Sequence, residues 1–307
     1  MSKRAIITGI LGQDGSFLSE KLYEDGYEVV GIIRPNKIFK KKNYKIYGVD
    51  LNSKEEVKRF IKKIEPSHIF NFAGETNIFD PYSNIQNTWK QNFDIPLNLI
   101  QSIQEIDKSI RFFQSSSSLM YASGTNSVID ETSEVCPLFP YGISKASVFQ
   151  LMKELRKKEN LFLCTGIFFN HDSERRGENF FTQKVITGLK NIIDKKTNIL
   201  ELGDLDIEKD ISYAGDFMDG VKLQMESNSP EDYIFGSGKL SLLRDFVSKA
   251  FEFFDFDYQE YVVTNSNKFQ NQKSLVSNPK KIKDMLNWET KTTIQELIKI
   301  MIKNKIN

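Results

Sequence analysis

Tyr141 and Lys145 stand four residues apart in a stretch with helical periodicity, so both side chains leave one face near the start of a helix. A phenol with a pKa of about 10 is a poor base at neutral pH, and a neighbouring ammonium lowers that value by stabilising the phenolate. Four serines, Ser115 to Ser118, close an apolar run with the pattern of a strand. In open α/β sheets ligands gather at that end of the strands. Ser117 is placed to share a substrate oxygen with Tyr141, orienting a hydroxyl whose proton passes to Tyr141 while hydride leaves for a dinucleotide. Lys145 serves twice, tuning the phenol and holding the nicotinamide ribose.

The dinucleotide needs a seat. Thr8-Gly9-Ile10-Leu11-Gly12-Gln13-Asp14-Gly15 carries glycines at spacing three and three between an expected strand and an expected helix. Gly9 permits the tight turn, Gly12 lets the backbone approach a pyrophosphate, and Gly15 lets the helix pack close to the strand. The helix N-terminus then faces the phosphates, with Gln13 and Asp14 lining the cofactor. Arg34, at the end of the second strand where NAD-selective proteins place an acidic residue, suits a 2′-phosphate and favours NADP over NAD. Asp50 and Leu51 follow the third strand, within reach of an adenine, and Ala73 ends the fourth.

These groups need a scaffold, and the chain supplies a βαβ rhythm. Strands are expected at residues 4–8, 28–33, 46–49, 68–73, 110–115 and 161–169. Helices are expected at 15–25, 53–64, 88–106 and 141–158. Ser53 and Glu56 have capping-box spacing, and Pro96 should kink its helix or mark a restart. This is an α/β fold, a Rossmann-type doubly wound parallel sheet with a smaller, interleaved C-terminal substrate-binding cap. The NADP-binding part spans residues 1–169 with a return segment at about 204–226, and 170–307 is mostly cap. In the cap the pattern predicts an amphipathic stretch at 182–194, helices at 214–226 and 293–303, a turn near Gly203 and a loop at 263–276.

With 42 Lys+Arg against 41 Asp+Glu the net charge is +1, so no overall field favours nucleic acid or an anionic membrane. Two cysteines, Cys136 and Cys164, build no disulfide framework and no CxxC pair. The N-terminal stretch lacks a secretory h-region, and no run of about 18 apolar residues occurs. A cytoplasmic protein is expected. Two histidines make a polyhistidine metal site or a Ser-His-Asp triad a poor fit, so no metal is expected. His68 and His171 read as structural.

The glycine motif TGxxGQDG, the serine strand end and Tyr-Gly-Ile-Ser-Lys resemble the extended short-chain dehydrogenase/reductase family that modifies nucleotide sugars. Within it the chain is most similar to the GDP-mannose 4,6-dehydratases. Asn170 to Phe180 (NHDSERRGENF) is similar to that group's NHESPRRGENF, and Lys184 continues it. Leu202 to Asp206 with Lys209-Asp210 resembles LGNLDxxRD, and Asn278-Pro279 through Trp288 resembles DPxKAxxxLGW. The resemblance implies a GDP-linked sugar, with Asn170 and Lys184 near its diphosphate and sugar, and a homodimer or homotetramer. Ser118, Asn170, Arg176, Asn179, Lys184, Lys209 and Arg244 are the expected substrate contacts, the cations neutralising diphosphate charge with Arg175 beside them.

The chain also departs from that group. A glutamate two residues beyond the hydroxyl residue of the strand end removes the proton at C5 in those enzymes, and Leu119 stands there here. Lys209 replaces an arginine, and residues 268–271 lack the group's RPxE pattern. Loss of one acid/base group costs a factor of about 10² to 10⁴. Redox chemistry at C4 needs only Ser117, Tyr141, Lys145 and the cofactor. The expectation is therefore a 4-ketosugar reductase, dehydrogenase or epimerase. The alternatives are a 4,6-dehydratase whose base is Glu131, Glu75 or Asp80, and a non-catalytic cofactor-binding sensor or scaffold.

Overall fold

The protein is described by a computed structural model covering residues 3–35, 43–76, 80–122, 127–265 and 274–306. Residues 268–271 therefore lie outside the described residues, as does the lysine run at 40–42. Seven parallel strands form the central sheet: β1 (Arg4–Thr8), β2 (Glu28–Ile33), β3 (Lys45–Gly48), β4 (His68–Asn71), β5 (Arg111–Ser117), β6 (Leu163–Phe168) and β7 (Tyr233–Phe235). Their order is β7-β6-β5-β4-β1-β2-β3. The chain winds outward through β2 and β3, returns to β4 beside β1, and winds the other way. That reversal opens a crevice above β1 and β4, where a doubly wound sheet binds its ligands.

The helices are α1 (Gln13–Glu24), α2 (Lys54–Ile64), α3 (Ile85–Trp89), α4 (Ile95–Ile106), α5 (Pro140–Glu159), α6 (Phe181–Ile193), α7 (Ala214–Glu226), α8 (Leu243–Glu252), α9 (Lys280–Leu286) and α10 (Ile294–Lys305). Alternation along β1 sends Ala5 and Ile7 to one face of the sheet and Ile6 to the other. The first face packs on α1 and α7 through Phe17, Leu18, Phe217 and Val221, the second on α2, α4 and α5 through Phe60, Ile100 and Met152. A third core forms between α6, α8 and α10 around Leu189, Phe246 and Ile298. It belongs to the C-terminal layer and has no strand of the central sheet in it.

Three local outcomes differ from the sequence pattern. The expected helix at 88–106 is interrupted by a π-helical turn at Lys90–Asp94 between α3 and α4, while the expected restart at Pro96 is met: it sits in the first turn of α4, where its missing N–H is not needed. Ser53 accepts from Glu56 N at 3.4 Å, but the Glu56 carboxylate takes Asp50 N at 3.0 Å, so the capping box is half formed. Thr293 and Glu296 make the reciprocal box at the start of α10. Part of the expected loop at 263–276 is strand, since Val262–Thr264 pairs with Leu200–Leu202 through β-branched residues suited to it.

Candidate active site

The glycine loop is shaped by contacts that leave no space for side chains. Gly9 has φ +65°, and a Cβ there would lie 2.9 Å from the Phe72 carbonyl carbon and 3.0 Å from Ala73 N. At Gly15 a Cβ would meet Gly9 O at 2.4 Å, so α1 starts backbone against backbone. Gly12 is the N-cap of α1 and brings no side-chain acceptor to its first turn. Those amides thus face the crevice uncapped, a donor set that fits a pyrophosphate.

Ser117 ends β5 and caps a 3₁₀ turn, Ser118–Tyr121, its Oγ accepting from Leu119 N at 3.3 Å. A Cβ on Gly142 would meet Leu119 O at 2.6 Å, so the start of α5 lies directly on this turn. That contact sets the Tyr141 phenol beside Ser117, close enough for Ser117 to favour the charged form of the phenol. Lys145, one turn on and 5% exposed, donates to Ser115 O at 3.0 Å and lies 5.8 Å from the Tyr141 ring centroid. Burial pulls its pKa down to about 8 against the opposing charge of Asp14. For Tyr141, burial pushes the pKa up, and the Ser117 hydrogen bond and the Arg176 guanidinium only partly offset it. Lys145 is not among the groups that offset burial at the Tyr141 phenol; Ser117 and Arg176 are.

The segment from 170 to 176 closes one side of the crevice. Asn170–Asp172 pairs in parallel with Ile211–Tyr213, leaving Asn170 exposed opposite Ile211. Asp14 takes His171 Nε2 at 3.1 Å, while His171 Nδ1 meets Phe169 O at 2.8 Å. Burial works against the Asp14 charge, yet His171 and Arg176 outweigh it and hold the carboxyl below its usual range. Gln13 donates to His171 O at 3.1 Å and accepts from Ser173 Oγ at 2.8 Å. Two residues read as cofactor contacts therefore also lock the loop to the next segment. Arg176 stacks on Phe180, with its guanidinium 3.7 Å from the ring centroid, and pairs with Asp172 at 3.2 Å.

The remaining expected residues are spread more widely. Arg34 is exposed just past β2, and Leu51 is buried in the core of the second face. The Asp50 carboxylate is taken up by Asn52 N at 3.0 Å, and Ala73 N donates to Thr8 Oγ1 at 3.0 Å. Ser118 is half-buried, Asn179 and Lys184 are exposed, and Lys209 is half-buried with its pKa lowered by burial. Arg244 binds Asp206 at 2.6 Å and Tyr258 Oη at 3.2 Å, and Arg175 binds Glu20 at 2.7 Å. Both arginines are already matched.

Of the carboxylates considered as substitute bases, Glu131 accepts Ile234 N at 2.8 Å on the outer edge of β7. That edge lies beyond β6 and more than two strand spacings, about 10 Å, from β5. Glu75 accepts from Asn87 Nδ2 at 2.8 Å and Thr88 Oγ1 at 3.3 Å, while Asp80 is exposed. Sequence reading missed Asn92, on the π-helical turn, whose amide takes Glu75 N and gives to Glu75 O, both at 3.0 Å. It also missed the buried polar pair Asn71 and Gln114. The available signal was a polar residue in each of three apolar runs, Thr8 and Asn71 at the ends of β1 and β4 and Gln114 within β5.

Among the described residues no cluster of three or more His, Cys, Asp or Glu is placed to hold a metal, and no helix is long and apolar enough to cross a membrane. A profile of the GDP-mannose 4,6 dehydratase family matches residues 6–301. A GDP-mannose 4,6 dehydratase of Drosophila melanogaster is 31% identical over 270 residues, 82% of this chain and 68% of that protein. The fold is shared with dTDP-glucose 4,6-dehydratase (rfbB) from Bacillus anthracis in complex with NAD, at TM-score 0.84 and 18% identity over 99% of this chain and 96% of that one. It is shared too with RMD from Pseudomonas aeruginosa complexed with NADPH, at TM-score 0.85 and 18% identity over 99% and 98% of the two chains.

Proposed function

The chain belongs to the GDP-mannose 4,6 dehydratase family, and from that premise we propose that it is an oxidoreductase acting at C4 of a nucleotide-linked sugar. The sugar is GDP-linked, the cofactor is NADP with NAD the alternative, and the direction best supported is reduction of a 4-ketosugar. Dehydrogenation and epimerisation use the same groups. The observation that carries the reading is the complete set Ser117, Tyr141 and Lys145 beside Leu119, which cannot take a proton from C5. Glu131 is on the far edge of the sheet, and Glu75 is engaged by Asn87 and Thr88.

Bound NADPH supplies hydride to the carbonyl carbon. Ser117 and Tyr141 converge on the carbonyl oxygen, and the protonated phenol gives its proton to that oxygen as negative charge develops there. Lys145 holds the nicotinamide ribose from within the wall of the crevice, with Ser115 O fixing its ammonium. The uncapped first turn of α1 holds the pyrophosphate, and Arg34 supports the phosphorylated dinucleotide. Residues 170–307 supply most of the substrate side. Exposed Ile85 and Trp89 on α3 and Ile143 on the adjoining α5 support a homodimer or homotetramer.

The test is a product mass spectrum. Purified protein with NADPH and a GDP-linked 4-keto-6-deoxy sugar should give a product heavier by two hydrogens, with NADPH consumed in equal amount. GDP-mannose with catalytic NADP⁺ should be returned unchanged. Loss of one water from GDP-mannose would overturn the reading in favour of a dehydratase with a base other than residue 119.

A further inference from the structure

Thr8, Asn71 and Gln114 are register partners on three adjacent parallel strands, β1, β4 and β5. In-register neighbours on parallel strands stand about 4.8 Å apart with side chains on the same face, so three polar residues in one row can touch in series. They do. Thr8 Oγ1 donates to Asn71 Oδ1 at 2.5 Å, Asn71 Nδ2 donates to Gln114 Oε1 at 2.8 Å, and Gln114 Nε2 donates to Ser115 O at 2.8 Å. Ser115 O is the same carbonyl that accepts from Lys145 Nζ at 3.0 Å. Ser115 Oγ closes the row by donating back to Asn71 O at 3.1 Å.

The other end reaches the glycine loop. Thr8 precedes Gly9, and its Oγ1 accepts from Phe72 N at 3.1 Å and Ala73 N at 3.0 Å, the backbone against which Gly9 is pressed. The whole row is buried, Thr8 and Asn71 at 0% exposure and Gln114 at 1%. Apolar β-branched residues at these positions would bury the same stretch of sheet without desolvating three polar side chains. Buried amides arranged so that each donor has an acceptor instead fix a unique geometry. Here the geometry fixed is that of one carbonyl oxygen.

We propose that Thr8, Asn71 and Gln114 are positioning residues, a hydrogen-bonded row that sets the place of the Ser115 carbonyl and through it the Lys145 ammonium relative to the glycine loop. The proposal rests on the functional reading of Lys145 above, and deepens it: the two halves of the cofactor seat are held in register by side chains that touch neither cofactor nor substrate. Gln114 is the link that reaches the carbonyl oxygen itself, since its amide bonds Ser115 O, whereas Ser115 Oγ ties only the Ser115 side chain back to Asn71.

The experiment follows Lys145 itself in the full-length protein. Lysine side chains are isotope-labelled at Nζ and titrated by NMR, the Lys145 signal being the one lost in Lys145→Arg. NADPH affinity and thermal midpoint are measured on the same samples. In Gln114→Met the ammonium loses its fixed acceptor, so its titration midpoint falls by about half a pH unit or more, and NADPH binds about tenfold more weakly. Thr8→Val reproduces both effects in part, and Thr8→Ser restores them, which keeps the test decisive if Gln114→Met does not fold. An unmoved Lys145 midpoint in Gln114→Met or Thr8→Val, with only the thermal midpoint lowered, makes the row a structural brace and overturns the proposal. A moved midpoint with NADPH affinity unchanged in both Gln114→Met and Lys145→Met upholds the row and overturns instead the assignment of Lys145 to the cofactor.

Discussion

Lys145 and Arg244 are both cations of the crevice region by sequence, and the structure treats them in opposite ways. Lys145 is buried and held by a neutral carbonyl, and Asp14 reaches it only through space. Arg244 lies on the C-terminal layer with its charge matched by Asp206 at 2.6 Å. The same contrast separates the two halves more widely. On the sheet side, Lys145 bonds to a neutral carbonyl while Asp14 is engaged by His171, so the ammonium keeps its charge for a ligand. On the C-terminal side, Arg175 and Arg244 are each spoken for by a carboxylate, and Lys209 makes no ion pair among the described residues. A cation held by a dipole is ready for an anionic ligand, whereas one held by a carboxylate must first give up that partner.

The sharpest way to break this contrast is at Tyr141. Tyr141→Phe removes the proton donor and leaves the glycine loop, Arg34 and Lys145 in place. Turnover should fall by about 10² to 10⁴-fold, with NADP(H) affinity little changed by fluorescence titration. Retention of turnover would show that the hydroxyl row of Ser117 and Tyr141 is not where chemistry occurs.

On the C-terminal side the equivalent change is Lys209→Met. Hydrogen bonds to charged groups contribute about 1.5–3 kcal/mol, so if Lys209 binds the diphosphate, its loss should raise KM for the nucleotide sugar about 10 to 100-fold with kcat nearly constant. Lys209→Arg should recover most of that. If KM is unmoved by Lys209→Met, the open cation of that layer is not the substrate's.

The pH dependence sharpens the sheet side. Lys145 is cationic below its pKa of about 8 and neutral above it. The ribose contact proposed for Lys145 needs the ammonium, so NADP(H) affinity should be flat from neutral pH to about 8 and fall as pH rises beyond it, by up to about tenfold per unit. The limb should be absent in Lys145→Met. A carboxylate-controlled site would show the reverse, weakening as pH falls.

Legibility followed the range of the interactions. The glycine loop, Ser117, Tyr141 and Lys145 were visible because each depends on spacings of a few residues: a turn too tight for side chains and two groups on one helix face. Helix α7 was read with the bounds Ala214–Glu226 for the same reason. Short β7 was missed, since three residues carry no period and their place beside β6 is fixed only by partners such as Gly166 to Phe168. The row from Thr8 to Gln114 spans more than a hundred positions and exists only once the sheet has set its register. The pairing of Arg244 with Asp206, 38 positions apart, was invisible for a related cause: a charged residue near a family-like motif reads as available until its partner is placed beside it.

Arg244 is therefore where the smallest effect is expected. Its partner Asp206 is largely exposed, and surface ion pairs of this kind contribute little. Arg244→Gln should leave the thermal midpoint unchanged and KM for the nucleotide sugar within about fivefold, a shift below the effect at Lys209. Asp206→Asn provides the converse. It frees the guanidinium while Tyr258 still contacts it, so any latent capacity of Arg244 for a diphosphate should appear as a lowered KM in that variant. A rise in KM of tenfold or more in Arg244→Gln would mean that the ion pair opens when substrate arrives, and the two sides of the crevice would then differ in timing rather than in which cations they offer.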